Sequence, residues 1–166
     1  MKTLKKLLAL SIVLLATIPL ASADTTVALL ASQTLDVGMV NATCDGTNLS
    51  VKYTTEDGWT LNETHLAIVG DPGEIPATKK GNPAPGQFEY AEEHAPGVTE
   101  FTYTIPLADL GLEAGSPVYI AAHAAVQQEV EVDEEITLLE EGAWGAGDRF
   151  IPKGNWATYF EYEIPV

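Results

Sequence analysis

The chain has 166 residues, of which 24 are acidic and eight are basic, and its formal charge is −16 at pH 7. So acidic a surface repels nucleic acid and anionic lipid, and we expect neither as a partner. The single cysteine excludes an internal disulfide, while the length suits one domain with its own apolar core.

The first 23 residues have the pattern of a signal peptide. Three lysines precede an apolar stretch over residues 7–20, and residues 21–23 form the small-residue cleavage sequence Ala-Ser-Ala. We therefore expect a secreted or cell-surface protein whose single domain covers residues 24–166 and has no transmembrane segment. Loss of the three leader lysines leaves five basic residues against 24 acidic ones, a formal charge of −19.

The mature chain has strand-like patterns from its start. Residues 26–32 form an apolar run of strand length, with Val27, Leu29 and Leu30 as its anchors. This strand belongs either to its own sheet or, by strand addition, to the sheet of a neighbouring molecule. The next strands are residues 37–43 and 49–53, joined by an Asp-Gly pair that is typical of a hairpin turn.

A strand over residues 65–69 precedes a long loop over residues 71–86 that contains four prolines. Proline lacks a backbone donor, so this loop cannot be a central strand. Lys79 and Lys80 are its basic cluster, and we expect them to be exposed. An acidic turn is expected at residues 92–94, before the next strand.

The second half continues with a strand over residues 101–105, a short helical turn, and a strongly apolar strand over residues 118–126 that we expect to be buried on both faces. The acidic run over residues 129–135 either extends that strand into solvent or forms a hairpin with residues 136–139. A glycine-rich stretch follows, and the last alternating strand covers residues 156–164.

Short strands, regular turn signals and almost no helical periodicity predict an all-β fold. We expect an antiparallel β-sandwich or jelly roll in a single domain after the signal peptide, with a closed barrel as the structural alternative.

The histidines are the first candidates for a site. His65 lies near Glu63, and His123 lies among alanines, where an imidazole needs a hydrogen-bond partner. Two interpretations stay open. The pair is either part of the core or a His–carboxylate metal site completed by Glu141 or Asp148. The chain has no Gly-x-Ser-x-Gly or His-Glu-x-x-His motif, so we expect no enzymatic activity.

The tryptophans are the second candidates. Trp59 and Trp144 lie in glycine-flanked turns and fit a sugar-stacking platform as well as a core position. Trp156 lies in a regular alternation, which favours a core position.

Six segments carry a family resemblance: GWTLNETHL (58–66), IPATKKGNPAPGQF (75–88), YIAAHA (119–124), AWG (143–145), RF (149–150) and WATYF (156–160). Together they resemble a family of uncharacterised exported β domains of bacteria and archaea, often found within larger surface proteins. The resemblance implies one polar constellation, which would bind a ligand or hold a buried Arg–carboxylate pair and consists of Glu63, His65, His123, Trp144 and Arg149.

These observations give three hypotheses. The first is a non-enzymatic secreted or cell-surface domain with a structural or adhesive role, which self-assembles by strand addition through residues 26–32 or binds a cell-surface partner. Its acidic loops would bind calcium, and no other cofactor is expected. The second is a carbohydrate-binding jelly roll that uses Trp59 or Trp144 to bind a glycan. The third is a metal-dependent hydrolase that uses His65 and His123.

Overall fold

The computed structural model describes residues 24–166, so the predicted signal peptide lies outside the described residues. The ten strands are β1 (Asp24–Ala31), β2 (Leu35–Cys44), β3 (Asn48–Thr55), β4 (Trp59–Val69), β5 (Tyr90–Glu93), β6 (Glu100–Pro106), β7 (Pro117–Val132), β8 (Glu135–Gly145), β9 (Asp148–Arg149) and β10 (Thr158–Glu163). In this described part of the chain, helical structure is confined to α1 (Leu107–Leu110) and two 3₁₀ turns, Pro72–Glu74 and Pro85–Gln87. Across residues 24–166, none of the helices has the length and apolar character needed to span a membrane.

The strands form one antiparallel sheet in the order β5-β4-β7-β8-β1-β2-β3-β6. β10 pairs with β7 beyond the end of β8, and β9 pairs with β10. The prediction of an all-β, antiparallel fold is therefore confirmed. The sandwich or jelly roll is not confirmed, because the main strands follow one continuous hydrogen-bonded path and the sheet curls into a nearly barrel-like shape.

The two ends of the sheet approach each other through the linker between β5 and β6. In that linker the His94 amide donates to the Asn62 carbonyl at 2.8 Å, and the Leu61 amide donates to the Val98 carbonyl at 2.7 Å. Tyr103 on β6 also donates to the Thr64 carbonyl on β4 at 3.0 Å. These contacts curl the sheet around its concave face.

The concave face holds the main core. The alternation predicted at residues 49–53 is confirmed there, because Leu49, Val51 and Tyr53 have no exposed surface. Apolar side chains of β1, β4, β7 and β10 complete this inner core, and Cys44 belongs to it with 3 % of its surface exposed. The inner core supplies the apolar burial that a domain without disulfides needs.

A second, smaller apolar cluster covers the convex face of β4 and β7. Ile75 and Phe88, at the two ends of the proline-rich loop, pack there against the sheet, together with Trp144 and Ala157. We call this group the outer core. The loop therefore covers the sheet, whereas Lys79 and Lys80 at its tip are exposed. Because both faces of β7 are covered at Ala121, the strand is buried on both sides at that point.

Candidate functional site

Four of the five predicted constellation residues lie on the convex face of neighbouring strands. His65 on β4 is directly opposite His123 on β7, and His123 is directly opposite Trp144 on β8. Glu63 lies two positions before His65 on the same strand. Side chains directly opposite each other in antiparallel strands come close enough to interact, so the register itself assembles this group.

The two imidazoles form the centre of the group. His65 Nδ1 lies 3.3 Å from His123 Nδ1, and the ring centroids are 5.4 Å apart. One Nδ1 must therefore carry a proton and donate it while the other accepts. Burial, and then the neighbouring His65, lowers the pKa of His123 to about 4. His123 is consequently neutral at physiological pH, and its Nδ1 either donates or accepts in this hydrogen bond according to its tautomer.

Glu63 borders the pair on its solvent side. Its Oε2 lies 3.7 Å from His65 Nε2, and about half of its side chain is exposed. Glu63 is directly opposite Glu93 of β5, and both line a depression of about 310 Å³ that also includes His65. The depression is shallow and acidic, and it gives solvent access to only one of the two histidines.

Of the carboxylates predicted for a metal site, Glu63 lies beside His65, whereas Glu141 and Asp148 make other contacts. Glu141 accepts a hydrogen bond from Ser32 at 2.6 Å, and Asp148 lies on β9 opposite Tyr159. Within the described part of the chain, no group of three histidine, cysteine or carboxylate side chains is arranged to hold a metal ion. The geometry of the histidine pair is that of a partly buried hydrogen bond between two imidazole rings.

Trp144 connects the histidine pair to the outer core. Its ring centroid is 4.8 Å from that of His123, 6.2 Å from Phe88 and 6.0 Å from Phe150. Only 6 % of Trp144 is exposed, and only 4 % of Trp59. Neither indole therefore offers the flat exposed platform that the carbohydrate hypothesis assigned to them.

Arg149 departs from the predicted constellation. It lies on the exposed strand β9, where its Nη2 donates to Gln33 Oε1 at 3.3 Å. The buried Arg–carboxylate pair is therefore wrong. The physical reason is that β9 has two residues and pairs at the rim of the sheet with β10, which turns Arg149 towards the β1–β2 turn and solvent.

The residues predicted to anchor strand addition belong to the chain's own sheet. β1 pairs with β2 along its full length and with β8 at Leu29–Ala31. Leu29 is fully buried in the inner core, while Val27 and Leu30 are half-buried. Donation of β1 to a neighbouring molecule would remove Leu29 from this core.

The acidic run lies where β7 and β8 extend beyond the neighbouring strands of the sheet. β4 pairs with β7 as far as Gln128, and β1 pairs with β8 no further than Ala143. Residues 129–138 therefore pair only with each other, and Leu139 and Glu140 pair only with Gln128 and Gln127. Residues 129–140 project as a two-stranded hairpin, which we call the β7–β8 ribbon. The sequence predicted either that the acidic run extends the preceding strand or that it forms a hairpin. Both occur, because β7 extends to Val132 and pairs there with β8.

The ribbon carries four exposed large apolar side chains. The exposed fractions are 54 % for Val132, 75 % for Ile136, 53 % for Leu138 and 39 % for Leu139. Its turn has Asp133 and Glu134 at positive φ, which the sequence did not signal because neither position is glycine or asparagine. The alternation of glutamates with apolar residues was the available signal for this surface.

Comparison of the chain with protein-family models, curated protein sequences and solved structures returned no match. The resemblance to exported β domains therefore stays a prediction.

Proposed function

We propose that the protein is a non-enzymatic, secreted or cell-surface binding domain with an adhesive role, and that the β7–β8 ribbon is its binding element. The observation that carries the proposal is the ribbon itself, a projecting pair of strands with exposed apolar side chains, whose two outer edges pair with no other strand among residues 24–166. Exposed apolar groups on a projecting element favour binding of a partner, because the contact of apolar surface with water is unfavourable and binding removes it.

The partner's backbone is suggested by the ribbon edges. Beyond the neighbouring strands β4 and β1, the outer edges of residues 129–132 and 135–140 have no strand beside them in the described chain. An extended segment can add to such an edge through main-chain hydrogen bonds, with alternate side chains setting specificity. Ile136 and Leu138 point to the same face of β8 and would provide the apolar contacts.

The partner's charge is suggested by the ribbon's composition. Residues 129–140 contain six carboxylates and no lysine or arginine. A second copy of this acidic chain would be repelled, and charge on an edge strand is a common protection against self-association. A lysine- or arginine-rich strand would instead be attracted. We therefore propose a cationic, extended polypeptide segment as the partner, in preference to self-assembly through β1.

A short peptide that alternates lysine and valine is a suitable probe, with binding measured by calorimetry at low and physiological salt. Neutralising the ribbon by Glu129→Gln, Glu131→Gln and Glu140→Gln is expected to weaken binding by roughly tenfold. The matched control neutralises three exposed glutamates elsewhere: Glu74→Gln, Glu113→Gln and Glu163→Gln. It changes the net charge equally and is expected to weaken binding less than about twofold.

The apolar contribution is tested separately by Ile136→Ser with Leu138→Ser, against the exposed control pair Leu35→Ser with Val166→Ser. Selective loss in the ribbon variant supports strand addition. Equal loss in the charge variant and its control would show that only net charge attracts the peptide, and would refute the ribbon as the binding element.

A further inference from the structure

Trp156 is the tryptophan that reaches solvent. It is half-buried at the edge of the outer core, and it makes none of the ring–ring contacts that hold Trp144. Its side chain lines a pocket of about 210 Å³ at the rim of the sheet, together with Leu30, Gln33, Arg149 and Thr158. The sequence pattern had favoured a core position for Trp156 and had left Trp59 and Trp144 open between a core position and a platform. In the structure Trp59 and Trp144 are buried, and Trp156 is half-buried.

Arg149 gives this pocket a positive charge that no carboxylate neutralises. The described chain holds five basic residues and 24 acidic ones, yet Arg149 forms no ion pair within it. Its polar partner is the neutral amide of Gln33. The other guanidinium N–H groups remain available for a ligand. Salt screens exposed charges at physiological ionic strength, so an exposed carboxylate more than about 8 Å from Arg149 acts only weakly on the pocket.

The pocket is formed by constrained backbone. Ser32 and Gln33 have φ values of 46° and 76°, a left-handed conformation that non-glycine residues adopt at a cost. This turn directs Gln33 to Arg149. On the opposite wall, a Cβ at Gly147 would lie 2.0 Å from the Tyr159 carbonyl oxygen, so the close approach of the two segments requires glycine.

We propose that this pocket binds a hexuronate residue of an acidic glycan. The indole of Trp156 offers an apolar ring face for the sugar. The guanidinium of Arg149 offers paired donors whose geometry matches a carboxylate. The amide of Gln33 and the hydroxyl of Thr158, which already donates to the Gly145 carbonyl at 2.7 Å, present oxygen acceptors for sugar hydroxyls. The site is independent of the ribbon.

The test is calorimetric titration of the purified protein with a galacturonate trimer, its methyl-esterified neutral form, free galacturonate and acetate. We expect the trimer to bind more tightly than free galacturonate and the neutral trimer to bind at least about tenfold more weakly, since it lacks the charge-assisted contact. Acetate as effective as galacturonate would overturn the sugar assignment. Equal affinity for free galacturonate and the trimer would overturn the assignment to a glycan chain.

The matched variants are Arg149→Gln and Lys153→Gln, which remove the same charge from exposed positions near each other in the chain. The first is expected to weaken trimer binding about tenfold and the second less than about twofold. Arg149→Lys keeps the charge but loses the planar fork, and should fall between them. Unchanged binding in Arg149→Gln, or absence of trimer binding by the wild-type protein, overturns the proposal.

Discussion

Acidification should destabilise the fold through His123. Its pKa is about 4 in the folded protein against an ordinary value of 6.5, because the ring is buried and faces His65. Between these values the unfolded chain binds a proton that the folded chain does not. The stability that neutral His123 contributes is therefore complete above about pH 6.5 and falls as the pH falls towards 4.

The magnitude follows from the two pKa values. At about 1.4 kcal/mol per pKa unit, the loss is about 2 kcal/mol at pH 5 relative to pH 8, and it approaches about 3 kcal/mol near pH 4. The rings that contact His123 are those of His65, whose Nδ1 lies 3.3 Å away, and of Trp144, which is neutral. The lowering of the His123 pKa, and with it the loss of stability on acidification, therefore depends mainly on the burial of His123.

The assay is urea unfolding, followed by tryptophan fluorescence, of the wild-type protein and of His123→Gln at several pH values. Carboxylates titrate in both proteins, so the difference between the two curves isolates His123. The free-energy advantage of wild type over the variant should shrink by about 2 kcal/mol from pH 8 to pH 5. Parallel curves, or a ring NMR titration of folded His123 near its ordinary pKa, would refute the reasoning.

Three further changes have clear expected results in the same unfolding assay or in hydrogen exchange. Gly147→Ala should lower the free energy of unfolding by about 3 kcal/mol or more, because the added Cβ would lie 2.0 Å from the Tyr159 carbonyl oxygen. The control Gly86→Ala adds a Cβ in open space and should change the free energy of unfolding by less than about 1 kcal/mol. Tyr53→Phe loses a 2.9 Å hydrogen bond to a buried β4 carbonyl and should cost about 1–2 kcal/mol. Glu134→Gly relieves a φ of 66° in the ribbon turn and should raise the protection of ribbon amides by about 1 kcal/mol, and unchanged exchange would contradict that strain.

The fold class was predictable where alternation was regular. Residues 49–53 alternate without interruption, and their burial follows. In β4 the sequence predicted only residues 65–69, because the register shifts between Leu61 and Glu63. That irregularity places Leu61 and Thr64 on the same concave face, which breaks a period of two. The expected acidic turn at residues 92–94 was also wrong, because residues 90–93 form the edge strand β5.

The candidate site was predictable in its residue types but less so in its arrangement. His65 and His123 come together through strand register, which no spacing in the sequence encodes. The roles of the tryptophans depended on what the proline-rich loop covers. Trp144 is covered by Phe88 of the proline-rich loop, although glycines flank it in the sequence. Trp156 lies at the rim of the sheet, although its neighbours alternate regularly, so neither sequence feature predicted the position of its tryptophan.

The pairing of β1 with β8 also divides the sheet kinetically. It joins residues well over a hundred positions apart, Leu29 with Gly145, through three residue pairs. On one side of this seam β1, β2 and β3 form consecutive hairpins, and on the other β7 and β8 do so. Bringing Leu29 and Gly145 together closes a long loop, and the entropic cost of closing it comes before the contacts between β1 and β8 can stabilise the sheet. We therefore expect the seam to form last during folding and to be the first part of the sheet to open.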